Sequence, residues 1–111
     1  MNMHEVNEKD WKLFRSRVGE WQEAYMEKLC REYAAMLTGD GSASEKFWEL
    51  DKRIYEDKRS PGVILEMKRS LMDHNIMQLL DEEVISLDDL EGFSDEFRNR
   101  MHTFMRRKTI S

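Results

Sequence analysis

Residues 11–33 read WKLFRSRVGEWQEAYMEKLCREY, and this stretch decides the fold. Its bulky apolar side chains recur at steps of three or four residues, which is the spacing of one face of an α-helix. The residues on this stripe are Trp11, Phe14, Val18, Trp21, Tyr25, Leu29 and Tyr33. A face so rich in aromatic rings must be covered, either by the rest of the chain or by a second protein.

The stripe predicts a first helix that begins after Asn7 and ends near Leu37. Asn7 is a good N-cap, and Asp10 three residues later indicates a variant of the capping box. Gly19 lies inside the stripe and is expected to mark a kink or a close helix crossing. The helix is expected to end because residues 38–42 read TGDGS, which favours a turn.

Two more helices are predicted in the middle of the chain. The first runs from about Ser44 to Lys58, with an apolar side and alternating acids and bases elsewhere. The second starts at Ser60 and Pro61, because serine at the N-cap followed by proline favours a helix start. Its wide apolar arc, which runs to Leu80, predicts the most buried element of the fold.

The last third of the chain predicts a short helical turn and a final helix. Ser86 and Asp89 mark the start of the turn, Gly92 ends it, and Ser94 caps the helix. No alternating β pattern and no internal repeat is visible. The sequence therefore predicts an all-α fold, a compact four- to five-helix bundle. It is expected to form a single domain over residues 1–111 with an ordered core of about 7–106.

Composition and charge narrow the function classes. Charged residues make up 37% of the chain, and the formal net charge is −5. This sign disfavours direct binding to nucleic acid, because such proteins neutralise phosphates with lysine and arginine. It suits solubility or docking onto a basic partner. Without a signal peptide or an apolar run of about 20 residues, we expect a cytoplasmic protein that does not insert into a membrane.

No catalytic, cofactor or metal site is predicted. The three histidines, His4, His74 and His102, lie far apart, and no spacing typical of zinc ligands occurs. The single cysteine, Cys30, has no neighbouring base and is expected to be a small core residue. We therefore expect no enzymatic activity, no cofactor and no metal.

The sequence favours a protein that binds another protein. Tryptophan and tyrosine dominate interaction hot spots, so the candidate interface residues are Trp11, Trp21, Tyr25, Trp48 and Tyr55. Packing in the core is an equally good interpretation of these five.

The second candidate surface is the acidic segment 81–96, which holds eight acids and no bases. Its candidate contacts are Asp88, Asp89 and Glu91. The alternative interpretation is that acids favour the starts of helices, as the bases after residue 99 favour a helix end.

Four segments of the sequence resemble those of a known family. They are EKDWKLFR (8–15), WQEAYME (21–27), KFWEL (46–50) and ISLDDLEGFS (85–94). Together they resemble a family of small uncharacterised Firmicutes proteins, often found near mobile elements and commonly labelled multidrug transporters. The resemblance covers most of the chain and implies no established activity. The transporter label conflicts with the lack of a membrane span.

Three function hypotheses follow. The first is a small acidic protein-binding or regulatory module without enzymatic activity, whose partner is another protein or a second copy in a homodimer. The second is an anti-CRISPR-type inhibitor of a nucleic-acid enzyme, because mobile elements encode small acidic helical inhibitors that bind basic nucleic-acid channels. The third is a DNA-binding transcriptional regulator, which the many acids among the bases of the middle helices disfavour.

Overall fold

The chain folds into one long helix and three shorter ones. The computed structural model describes residues 6–110. Its helices are α1 (Glu8–Thr38), α2 (Ala43–Asp57), α3 (Met72–Asp81) and α4 (Asp95–Ile110), with short 3-10 turns at Arg69–Leu71 and Leu87–Leu90. No strand occurs between residues 6 and 110, and the predicted all-α bundle is confirmed. The principal extents are 58 × 31 × 24 Å, so the molecule is elongated.

Helix α1 begins and ends close to its predicted bounds. The Asn7 side-chain oxygen accepts hydrogen bonds from the backbone N–H groups of Lys9 (2.9 Å) and Asp10 (3.2 Å), which confirms the N-cap. The helix then runs without interruption to Thr38. A Cβ added at Gly19 meets no atom within 4 Å, so the predicted close helix crossing at this glycine is wrong.

The main core forms where the first half of α1 meets α3, α4 and the turn before α4. We call this part the head (residues 6–21 and 65–105). Its fully buried side chains are Phe14, Met72, Ile76, Leu79, Leu80, Leu90, Phe97 and Met101. The predicted burial of the third helix is confirmed, because α3 buries five of its ten residues.

One buried carboxylate, that of Asp10, joins the start of α1 to the start of α4. Asp10 is 2% exposed and accepts hydrogen bonds from the Ser94 backbone N–H (2.8 Å) and the Ser94 hydroxyl (2.6 Å). The Ser94 hydroxyl oxygen accepts in turn from the Phe97 N–H (3.2 Å), as predicted for the N-cap of α4. The prediction that Asp10 completes a capping box with Asn7 is therefore wrong, since Asp10 instead fixes the start of α4.

The predicted third helix starts too early in the sequence. Ser60 and Pro61 begin only a single turn, in which the Ser60 carbonyl accepts from the N–H groups of Val63 and Ile64 at 2.9 Å each. Residues 64–68 form no helix, and α3 begins at Met72. The cause is a tertiary contact, because Ser60, Pro61 and Gly62 are buried and the ring of Tyr25 lies against Gly62.

Two glycines provide a matched test of this packing. A Cβ on Gly62 would lie 2.3 Å from Cδ2 and 2.7 Å from Cγ of Tyr25, so Gly62→Ala should lower the free energy of unfolding by about 1–3 kcal/mol. Gly19→Ala, in open space within α1, should raise it by up to ~1 kcal/mol. Urea denaturation measures both variants, and a Gly62→Ala protein as stable as the wild type would contradict the contact.

Candidate functional site

The second half of α1 and α2 form an antiparallel hairpin outside the main core. We call it the arm (residues 22–62). The turn over residues 39–42 joins its two helices, and the Ser42 hydroxyl caps α2 by accepting from the Glu45 N–H (3.2 Å). Helix α2 contains no buried residue, and Leu29 is the one buried residue that the arm takes from α1. The arm is therefore a two-helix layer with little core of its own.

Ion pairs hold one side of the arm together. Arg53 of α2 pairs with Glu32 of α1, and its Nε donates to the Asp57 carboxylate at 2.9 Å. The same Asp57 oxygen accepts the hydroxyl of Tyr33 at 2.6 Å. The Nζ atom of Lys28 lies 4.0 Å from Oε2 of Glu32 and extends the network of ion pairs along α1. One guanidinium thus ties the two helices together through acceptors on both.

These contacts shift the pKa values of both Glu32 and Tyr33. The hydrogen bond from Arg53 is the main cause that lowers the pKa of Glu32 below its ordinary value. Burial is the main cause that raises the pKa of Tyr33 to about 12, and the hydrogen bond to Asp57 together with its negative charge adds to the effect. Tyr33 therefore remains a hydrogen-bond donor well into alkaline solution.

Three aromatic side chains of α2 are exposed. Phe47 is 63% exposed, Trp48 65% and Tyr55 66%. We call these three residues the aromatic face. The rings of Phe47 and Trp48 meet edge to face, with centroids 5.0 Å apart and planes at 83°. Trp48 and Tyr55 are about two helical turns apart and so lie on the same side of α2. This side faces away from α1 by helical spacing, since the half-buried positions of α2 are Lys46, Leu50, Arg53, Ile54 and Asp57.

The structure separates the five aromatic residues that the sequence grouped as interface candidates. Trp11 is 8% exposed and belongs to the core of the head. Trp21 is partly buried and packs against this core. Tyr25 is half-buried over Gly62. Trp48 and Tyr55 alone lie on the exposed side of α2.

Sequence analysis missed Phe47 and misplaced Cys30. Phe47 shares the apolar spacing of Leu50 and Ile54, and helical periodicity alone does not show that it stays outside. Cys30 is exposed, so its predicted place in the core is wrong. It is one residue from Leu29, about 100° around α1, where no third helix covers the arm. In both cases the sequence does not show how many other helices pack against the helix that carries the residue.

The acidic segment 81–96 lies on the surface of the head. All eight of its acids are exposed. Three of them form ion pairs, Asp81 with Lys108, Asp95 with Arg98, and Glu96 with Arg100 at 3.6 Å.

The three acids singled out by the sequence have different surroundings. Asp89 accepts hydrogen bonds from the Ser86 backbone N–H (2.8 Å) and hydroxyl (3.3 Å), which confirms the predicted turn start. Asp88 and Glu91 are exposed and form no ion pair within residues 6–110. Arg17 fixes this turn to α1 by donating to the backbone carbonyls of Asp89 (3.1 Å) and Glu91. Asp89 is thus partly structural, whereas the other two carboxylates are open to solvent.

The part of the chain that the structure describes offers neither a cluster of metal ligands nor a membrane-spanning helix. There, no group of three His, Cys, Asp or Glu side chains is placed to hold a metal ion, and His4 lies outside the described residues. No described helix has the length and apolar character needed to cross a membrane. The chain matches no known family model, no curated protein and no solved structure.

Alkaline titration should show the contribution of Tyr33 to the arm. A pKa raised from 10.0 to about 12 means that the stability from this residue is complete below about pH 10 and is lost as the pH rises toward 12. We expect the unfolding midpoint of the wild type, followed by circular dichroism, to fall more steeply over this interval than that of Tyr33→Phe. Equal slopes for the two proteins would contradict the raised pKa.

Proposed function

We propose that this protein is a protein-binding module without enzymatic activity and that the aromatic face of its arm is the contact surface. The observation that carries this proposal is the exposure of Phe47, Trp48 and Tyr55, each about two-thirds exposed, on a helix with no buried residue. Large exposed apolar patches mark interaction sites, and tryptophan and tyrosine are the commonest hot-spot residues.

The opposite side of the arm supports the same proposal. The ion pairs of Arg53 with Glu32 and Asp57 direct the other side of α2 toward α1, so that Trp48 and Tyr55 point outward when the arm is closed. Burial of each large aromatic side chain then contributes roughly 1.5–3 kcal/mol to association.

Capture from host lysate tests the proposal with a matched control. The full chain serves as bait, with nuclease present, beside the variants Trp48→Ala and Tyr55→Ala. Loss of a hot-spot ring should lower the affinity for the captured protein by roughly 30-fold or more. The control is Ile64→Ala, which removes a side chain that is also 64% exposed but lies outside α2. Capture that survives both aromatic substitutions would contradict the proposal, provided that thermal unfolding shows the variants to be folded.

A second candidate function, inhibition of a nucleic-acid enzyme, is favoured by one specific observation. Asp88 and Glu91 are exposed acids without an ion pair in the described chain, on a turn that Arg17 holds in place. Carboxylates on a fixed turn are suited to occupy a basic channel in place of phosphates.

Charge reversal separates the role of these acids from that of Asp89. If the second candidate is right, Asp88→Lys combined with Glu91→Lys should abolish inhibition of DNA cleavage by the target nuclease and leave stability nearly unchanged. Asp89→Ala should instead lower the free energy of unfolding by about 1 kcal/mol, because it breaks the capping box with Ser86. Nuclease assays and urea denaturation measure the two effects. Inhibition retained by the double variant would exclude this mechanism.

A further inference from the structure

We infer that the partner on the aromatic face is a second copy of this chain, packed with its α2 antiparallel to the first. The inference rests on the proposed function and names the occupant of the same surface. Two arms joined in this way form a four-helix assembly, which gives each arm the layer that it lacks. The two-fold axis passes close to Asp51 and Lys52, at the middle of the exposed stripe.

The aromatic residues of α2 are self-complementary under this symmetry. Trp48 and Tyr55 are about two turns, or ~10.5 Å, apart along the helix, and Asp51 and Lys52 lie midway between them. A two-fold axis at that midpoint places Trp48 of each copy opposite Tyr55 of the other. The same contact is then made twice, as an interface between two identical surfaces requires.

The charges at the ends of α2 are complementary in the same register. Glu45 lies in the first turn of α2, and Arg59 follows its last residue by two positions. Both side chains are exposed, and neither forms an ion pair within residues 6–110. The axis that pairs Trp48 with Tyr55 brings Glu45 of one copy to within about one residue of Arg59 of the other. An acid therefore meets a base at each end of the contact.

The centre of the stripe holds one acid and one base on its two edges. Near the axis, Asp51 approaches both Asp51 and Lys52 of the other copy. Lys52 likewise approaches both of these residues of the other copy. Attraction and repulsion largely offset each other there. The aromatic and end contacts must therefore supply the affinity, and the association is expected to be reversible.

The available area agrees with a reversible dimer. An aromatic side chain presents roughly 150–250 Å², so three residues about two-thirds exposed offer on the order of 400 Å² per copy. A stable interface of standard size needs about 800 Å² from each partner. The aromatic face supplies about half of this area, which is the size expected of a weak and reversible association.

Sedimentation equilibrium of the full chain is the first test. We expect the mean mass to rise from one copy toward two as the concentration increases. Trp48→Ala and Tyr55→Ala should each raise the dissociation constant by roughly 30-fold or more, and Ile64→Ala should leave it unchanged. A wild-type protein that remains monomeric up to about millimolar concentration, where even an association free energy of about −4 kcal/mol would give substantial dimer, would overturn the inference.

A charge swap tests the antiparallel register itself. Glu45→Lys and Arg59→Glu should each weaken association, and the two together in one chain should restore it, since both end pairs are then reversed. Thermal unfolding of each variant corrects for the effect of a base in the first turn of α2. A double variant that associates more weakly than either single variant would overturn the arrangement.

The results also separate this inference from the proposed function. If the chain stays monomeric while Trp48→Ala still loses a captured protein, the second copy is not the occupant and the binding module stands. If self-association and capture both survive Trp48→Ala, the aromatic face is not a contact surface and both proposals fail.

Discussion

The apolar stripe of α1 has to be covered along its whole length, and the architecture follows from how the chain meets this constraint. The helix has 31 residues and is therefore about 46 Å long. Around its first half, α3 and α4 build a core with several fully buried side chains, among them Phe14 and Phe97. Along its second half only α2 is present, and one helix covers only one side. The head and the arm differ because the chain supplies two layers to one and a single layer to the other.

The parts of the fold that depend on nearby residues could be predicted from the sequence. The caps at Asn7, Ser86 and Ser94 each need a side chain and a backbone N–H a few residues away, and all three are present. The start of the third helix could not be predicted in this way. Ser60 and Pro61 form a good helix start by local rules, but Gly62 packs under Tyr25 of α1. That distant contact ends the turn before a helix develops.

The candidate site could be predicted only in part, for a related reason. Trp11 lies on the apolar stripe of α1 and is 8% exposed, whereas Trp48 lies beside the apolar side of α2 and is 65% exposed. The pattern gives the direction of a side chain from its own helix axis and not the number of elements packed beyond it. Residues such as Trp48 and Tyr55 could be named, whereas their separation from Trp11 and the addition of Phe47 required the tertiary structure.

The division into head and arm also determines how binding and stability are connected. Surface ion pairs such as that of Arg53 with Glu32 contribute little to the free energy of folding, and the arm has few buried apolar side chains to add to them. The arm is therefore the part of the molecule expected to open most easily. A partner that covers the aromatic face stabilises the closed hairpin by mass action, because it binds the folded arm and not the open one. The arm is therefore expected to be more ordered when a partner covers the three rings of the aromatic face than when these rings are exposed to solvent.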